Sequence, residues 1–226
     1  MEMNNYYSKK LSSSKLQKCY EIAPLRVKQY LKAEIDFVLE RINSTDLVLE
    51  LGCGYGRVLK RLIGKARTVV GIDASEESIQ LARSMIGSNK SCQLYRMNAV
   101  EMKFEANEFD VVICIQNGIS AFQVEPRKLI REAIRVTRSG GTILFSSYSE
   151  KFWEERLNWF KIQADNQLIG EIDYSATGNG IIVCMDGFKA TTFTAEEFLM
   201  LASNFPVTVQ IHEVDNSSIF CEMERF

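Results

Sequence analysis

Apolar residues along the chain follow two rhythms, short unbroken runs and stripes at steps of three or four, and the two alternate. The runs LVLEL (47–51), TVVGID (68–73), CQLYRM (92–97), FDVVICI (109–115) and GTILFSS (141–147) read as buried strands. Between them, RVLKRLIG, SEESIQLARSMIG and PRKLIREAIRVT carry helical spacing. Ser75 is placed to cap the second of these helices, with Glu76 and Glu77 in its first turn, and Pro126 suits the first turn of the third. Gly64 and Gly87 mark the ends of the first two. Such alternation predicts βαβ units and a mostly parallel, doubly wound α/β sheet.

The flanks read differently. From Pro24, the apolar positions Val27, Leu31, Ile35, Val38 and Ile42 form one stripe of an amphipathic helix that should pack on the sheet. Residues 1–20 are polar, with Tyr6, Tyr7, Lys9, Lys10, Lys15 and Lys18, and read as a tail or as a lid over a ligand. After the fifth strand come a helix, EKFWEERLNWFKIQ, and two strand-like runs, LIGEIDYS and IIVCMDGF, joined by the turn ATGNG as a hairpin. Thr194 and Glu197 have the spacing of a capping box for the helix AEEFLMLASNF. VTVQIHEV and IFCEMER close the chain as a second hairpin across DNSS.

This organisation divides one domain into an N-terminal helical lid (1–45), a cofactor-binding core (46–147), an inserted hairpin (165–190) as candidate substrate cover, and a last helix with terminal hairpin (191–226). With 226 residues, 46% of them apolar, one core of this size is expected. The net charge of -2 offers no whole-molecule attraction to nucleic acid or acidic lipid. The segment after Met1 has no apolar signal core and no run approaches a membrane span, so the expectation is a soluble, cytoplasmic protein without a membrane partner. Six scattered cysteines, without a C-x-x-C pair, and the single His212 give no metal-ligand spacing and read as free thiols. Cys114 in VVICI reads as core, whereas Cys53, between two glycines, is expected to be partly exposed. Strand alternation places His212 with Thr208 and Gln210 on a solvent face.

The candidate chemistry begins at VLELGCGYGR (48–57), an apolar strand running into glycines that allow a sharp turn and close approach to a ligand. The glycines Gly52, Gly54 and Gly56 have the spacing G-x-G-x-G, with Arg57 where a dinucleotide fingerprint requires its third glycine. The second strand ends in Asp73, about 20 residues on, where a carboxylate can accept both ribose hydroxyls.

Taken together, VLELGCGYG, VVGIDAS, MNAVEM and FDVVICIQNGIS resemble the successive motifs of the class I S-adenosylmethionine-dependent methyltransferases, continuously over residues 46–147. The resemblance implies a Rossmann-like, seven-stranded sheet in the order 3-2-1-4-5-7-6 with strand 7 antiparallel, and S-adenosylmethionine across the strand ends. It implies that Glu50 fastens the glycine loop, that Gly52, Cys53 and Gly54 pass the methionine moiety, and that Asp73 and Ala74 meet the ribose. Asn98 and Ala99 would border the adenine, Gln116 would present main chain to the cofactor amino group, and Asn117 would face the acceptor. An acid is frequent in the family at the Asn98 position, and an amide oxygen there can still accept from the adenine amine.

The sulfonium methyl is already activated, so no dedicated nucleophile is needed. Candidates for handling the acceptor are Asn117, Tyr7, Tyr148 and Tyr174, then Tyr6, Tyr20, Glu150 and Asp173. CIQNG stands where base-N6 or glutamine methyltransferases carry an Asn-Pro-Pro-Tyr-type motif, so a small-molecule N- or O-acceptor leads. Methylation of RNA or protein is the alternative, from the basic residues before Ala33; a non-catalytic binding module and a nicotinamide oxidoreductase follow. Trp153 and Trp159 share one helix, which is expected to pack in the core and otherwise to cover substrate or a homodimer surface.

Overall fold

The computed structural model describes Tyr6, Lys10, Leu11 and residues 13–226. The chain runs α1 (Ser13–Glu21), α2 (Leu25–Leu39), β1 (Leu47–Leu51), α3 (Leu59–Leu62), β2 (Thr68–Asp73), α4 (Glu76–Ile86), β3 (Cys92–Arg96) and β4 (Phe109–Cys114). It continues through α5 (Gly118–Ala121), α6 (Pro126–Val136), β5 (Thr137–Tyr148), a 3-10 turn (Glu150–Phe152) and α7 (Trp153–Asp165). The last elements are β6 (Ile182–Val183), β7 (Lys189–Ala190), α8 (Ala195–Ala202), β8 (Val207–Val214) and β9 (Ser218–Arg225).

Seven strands form one sheet in the order β3-β2-β1-β4-β5-β9-β8, the expected order with β9 as the reversed strand. β1 is an interior strand between β2 and β4, Leu49 opposite Val70 of β2 and Val112 of β4, so its side chains are buried on both faces. Gly71 of β2 has no room for a side chain, since a Cβ there would stand 2.4 Å from Leu59 Cδ1 and 2.9 Å from Cys53 Sγ. α6 and α8 cover one face over Phe109, Val112, Ile143 and Met223. α2, α3 and α4 cover the other over Val48, Val69, Val111 and Leu144.

Local signals terminate the elements as the residues dictate. Ser75 Oγ accepts from Ser78 N, Gly87 ends α4 at φ +69°, and Thr194 and Glu197 exchange both capping-box bonds. β5 is longer than its apolar run and begins at Thr137, because the polar TRSG stretch continues the strand beside β4 with an irregularity between Phe109 and Val111.

Two expectations need correction. The runs LIGEIDYS and IIVCMDGF do pair across ATGNG, through the antiparallel bridges Ile172 to Cys184 and Gly178 to Ile181 and the bonds from Asp173 N to the Val183 carbonyl and from Met185 N to the Glu171 carbonyl. The two-stranded ladder itself, however, is β6 with β7, around Asp186 and Gly187. Ile169, Ile172 and Phe188 also sink into a third core with α1, α2 and α7. His212 is half-buried: Phe37 of α2 covers its ring at 5.3 Å, and its Nε2 stands 2.9 Å from Glu222. Among the described residues no helix is long and apolar enough to cross a membrane, and no three His, Cys, Asp or Glu side chains cluster as metal ligands.

Candidate active site

At the carboxyl ends of the parallel strands lies a cleft with about 1170 Å³ of atom-free space, part of it open to solvent. Its floor is the glycine loop after β1. Gly52 has φ +74° and Gly54 φ +52°, and a Cβ on Gly52 would stand 3.1 Å from Phe122 Cζ. Loop and strand end are tied together by Asp73, whose Oδ2 accepts from Gly54 N at 2.9 Å and Oδ1 from Ser75 N at 2.8 Å. Burial raises the Asp73 carboxyl above its ordinary value, and these amide donors oppose the rise.

Beneath the loop, Glu50 is 5% exposed and its Oε2 has no hydrogen-bond partner among the described residues. Burial pushes its carboxyl up to about 8, with the nearby Arg57 guanidinium opposing. Arg57 bonds through Nη2 to Gln116 Oε1 and lies 4.4 Å over the Tyr20 ring. Gln116 holds an unusual backbone conformation, φ +58°. Its amide donates to Glu34 Oε2 and to Ser146 Oγ, each at 2.7 Å. Glu34 is fully buried on α2 and also accepts from Ser218 Oγ at 2.7 Å; burial pushes its carboxyl up to about 7. This carboxyl therefore joins α2, the turn after β4, and β9 at one point. Gln116 Nε2, like Glu50 Oε2, is left without a partner among the described residues at the cleft wall.

The roof comes from α1 and α7. Leu16 reaches to 3.2 Å from where a Gly54 Cβ would stand, and Trp159 Nε1 donates to the Cys19 carbonyl at 3.0 Å, joining the two helices. Tyr20, Trp159, Phe160, Gln163 and Tyr148 complete this end. Leu11, Leu16, Cys19 and Tyr20 line the cleft, and Trp159 is both core and cleft wall.

Of the residues expected to bind the cofactor, Glu50, Gly52, Cys53, Gly54, Asp73, Ala74 and Gln116 all line this cleft. Cys53 is buried rather than partly exposed, its side chain turned under the loop toward Gly71. Asn98 and Ala99 do not line it: Asn98 Oδ1 caps Val100 N at 3.1 Å and Ala99 is buried. Asn117 does not line the cleft: its side-chain amide donates to the Thr191 carbonyl and accepts from Ser147 Oγ, both at 2.8 Å. Tyr174 is 64% exposed, and no residue of 165–190 lines the cleft. Asp173 binds Ser175, and Tyr6 bonds to Asp186 with its ring edge on Phe188. Tyr7 lies outside the described residues. Tyr148 and Tyr20 line the cleft; burial raises both phenols above their ordinary value. Phe122, Gln163 and Leu16 carried no motif that could have singled them out.

The donor set fits S-adenosylmethionine. A carboxylate stands at the end of β2 for a ribose, glycines stand where Cβ atoms would intrude, and an unpartnered carboxyl oxygen and amide N–H suit an amino acid head group.

Residues 48–141 match the family model for a methyltransferase domain. The chain is similar to the ubiquinone biosynthesis O-methyltransferase of Pseudomonas fluorescens (strain SBW25), 29% identical over 137 residues, which are 59% of this chain and 55% of that protein. The chain thus spans about half the length of that relative. In fold it is similar to the PH0226 protein from Pyrococcus horikoshii OT3, with TM-score 0.67 and 21% identity, covering 90% of this chain and 92% of the other. It is similar also to the N-methyltransferase NodS from Bradyrhizobium japonicum WM9, solved with S-adenosyl-l-homocysteine, with TM-score 0.60 and 14% identity, covering 94% and 96%.

Proposed function

We propose that the chain, whose residues 48–141 match the model for a methyltransferase domain, acts as a class I S-adenosylmethionine-dependent methyltransferase on an oxygen or nitrogen atom of a small molecule. The observation that carries this reading is the roofed cleft, which runs from Asp73 to an aromatic end walled by Tyr20, Tyr148, Trp159 and Phe160. A site enclosed by side chains on several sides suits a compact acceptor. Oxygen is taken first because the curated relatives are O-methyltransferases.

Bound S-adenosylmethionine supplies a methyl group already activated for transfer. What the chain contributes is position and dryness. Asp73 and the glycine loop would hold the nucleoside end, and Glu50 and the Gln116 side-chain amide would meet the amino acid end. α1 and α7 exclude water, with Trp159 Nε1 to Cys19 holding them together. Tyr148, kept protonated by burial, would offer an acceptor a hydrogen-bond donor rather than act as a base.

The test is release of S-adenosylhomocysteine with a panel of hydroxylated and amine-bearing small molecules, run beside Asp73→Ala. Turnover confined to RNA or protein would overturn the proposal.

A further inference from the structure

A second depression opens between α2 and α3 and shares Tyr20 and Arg57 with the cleft. Its apolar floor is Leu31 and Ile35 of α2. Around it stand Lys28 and Lys32 from α2 and, with Arg57, Lys60 and Arg61 from the segment of α3. Cations therefore crowd one groove of a chain whose net charge is -2. Among the described residues Lys32 alone of these forms an ion pair, with Asp36, while Arg57 lies near the buried Glu50 carboxyl. Lys28, Lys60 and Arg61 form no ion pair with a described residue, and Arg57 is engaged by Gln116 and the Tyr20 ring. Lys28 and Lys32 stand four residues apart on one helix face, where like charges repel. A fold ordinarily relieves such crowding with interspersed acids, and a groove left positive concentrates anions instead.

We propose that this groove holds the anionic end, a phosphate or a carboxylate, of the acceptor whose reactive atom lies in the cleft, an inference that rests on the small-molecule function above. Tyr20 and Arg57 are the doorway between the two. Arg57 bonds to Gln116 at the end of β4 and, stacked over Tyr20, lines both spaces, so a molecule spanning the two would lie against this pair. A polynucleotide is the poorer fit, since strand binding calls for successive stacking platforms along a track. Among the described residues the groove offers one ring, Tyr20, already covered by Arg57.

The experiment compares the native chain with the triple variant Lys28→Ala/Lys60→Ala/Arg61→Ala, which leaves Arg57 in place. Inorganic pyrophosphate is titrated calorimetrically into protein saturated with S-adenosylhomocysteine at low salt. Saturable binding that weakens about tenfold or more in the variant is expected, because the three cations that would donate charge-assisted hydrogen bonds to the anion are gone. Affinity for S-adenosylhomocysteine and melting temperature should match in the two proteins. In the transfer assay, acceptors are compared with and without a phosphate or a carboxylate. The native chain should favour the anionic members, phosphate and carboxylate arms separating the two sources, and the variant should lose that preference through KM.

Equal pyrophosphate affinity in both proteins, no pyrophosphate binding, or tighter binding of an RNA oligonucleotide through the same three cations would overturn the groove assignment. Transfer to uncharged acceptors with any of these results would leave the small-molecule function standing. Transfer to no small molecule would defeat that function and the groove assignment with it.

Discussion

Glu34 is a carboxyl enclosed at the junction of α2, the turn after β4, and β9, and its replacement by glutamine isolates what its charge costs. Burial lifts it from 4.5 to about 7, against the opposing pull of the Ser218 hydroxyl and the Gln116 amide. Between those values the folded chain keeps a proton that the unfolded chain has released. Stability from this group is therefore fully present below pH 4.5 and is lost as pH rises through about 7. At about 1.4 kcal/mol for each pH unit, the loss across the interval is on the order of 3 kcal/mol. Glu50 behaves in the same sense, so the native curve alone does not separate the two. The difference between native and Glu34→Gln does, because Glu50 is common to both. Urea unfolding at pH 5, 6, 7 and 8 should show the variant gaining on the native chain by on the order of 3 kcal/mol from the lowest to the highest pH. A flat difference, or a variant that falls behind at pH 8, would refute the argument. It would mean that the two donors outweigh burial and that Glu34 titrates as an ordinary carboxylate.

Asp73→Ala removes the acceptor of the Gly54 and Ser75 amides as well as the ribose partner, so affinity for S-adenosylhomocysteine should fall about a hundredfold by calorimetry; unchanged affinity would place the nucleoside elsewhere. Gly52→Ala meets both a φ of +74° and Phe122 Cζ at 3.1 Å, and thermal stabilisation by S-adenosylhomocysteine should disappear while the fold survives. Trp159→Phe keeps an aromatic ring but loses the donor to Cys19, which should cost about 1 kcal/mol and speed S-adenosylhomocysteine release in stopped flow; an unaltered release rate would separate the lid from this bond.

β1 and β2 occupy the residues that their apolar runs mark, since a strand buried on both faces writes its burial as an uninterrupted run. Caps at Ser75 and Thr194 are equally plain, because each is a contact within four residues. The glycine loop and Asp73 belong with them. The polar TRSG start of β5 is invisible by the same logic, since it pairs without being apolar. Asn117 shows where side-chain reading stops: its position after β4 points to the acceptor, yet its amide is taken by Thr191, 74 residues away.

The sequence by itself determined the strand order's local pieces, the glycine loop after β1 and the acid at the end of β2, because those features depend on neighbours along the chain. Tertiary structure alone decided that α1 and α7 form the roof, that Glu34 sits beneath Gln116, and that the cations of α2 and α3 share a groove with the cleft. These follow from segments brought together by burial of the whole core, and periodicity within one segment carries no record of which distant segment will cover it.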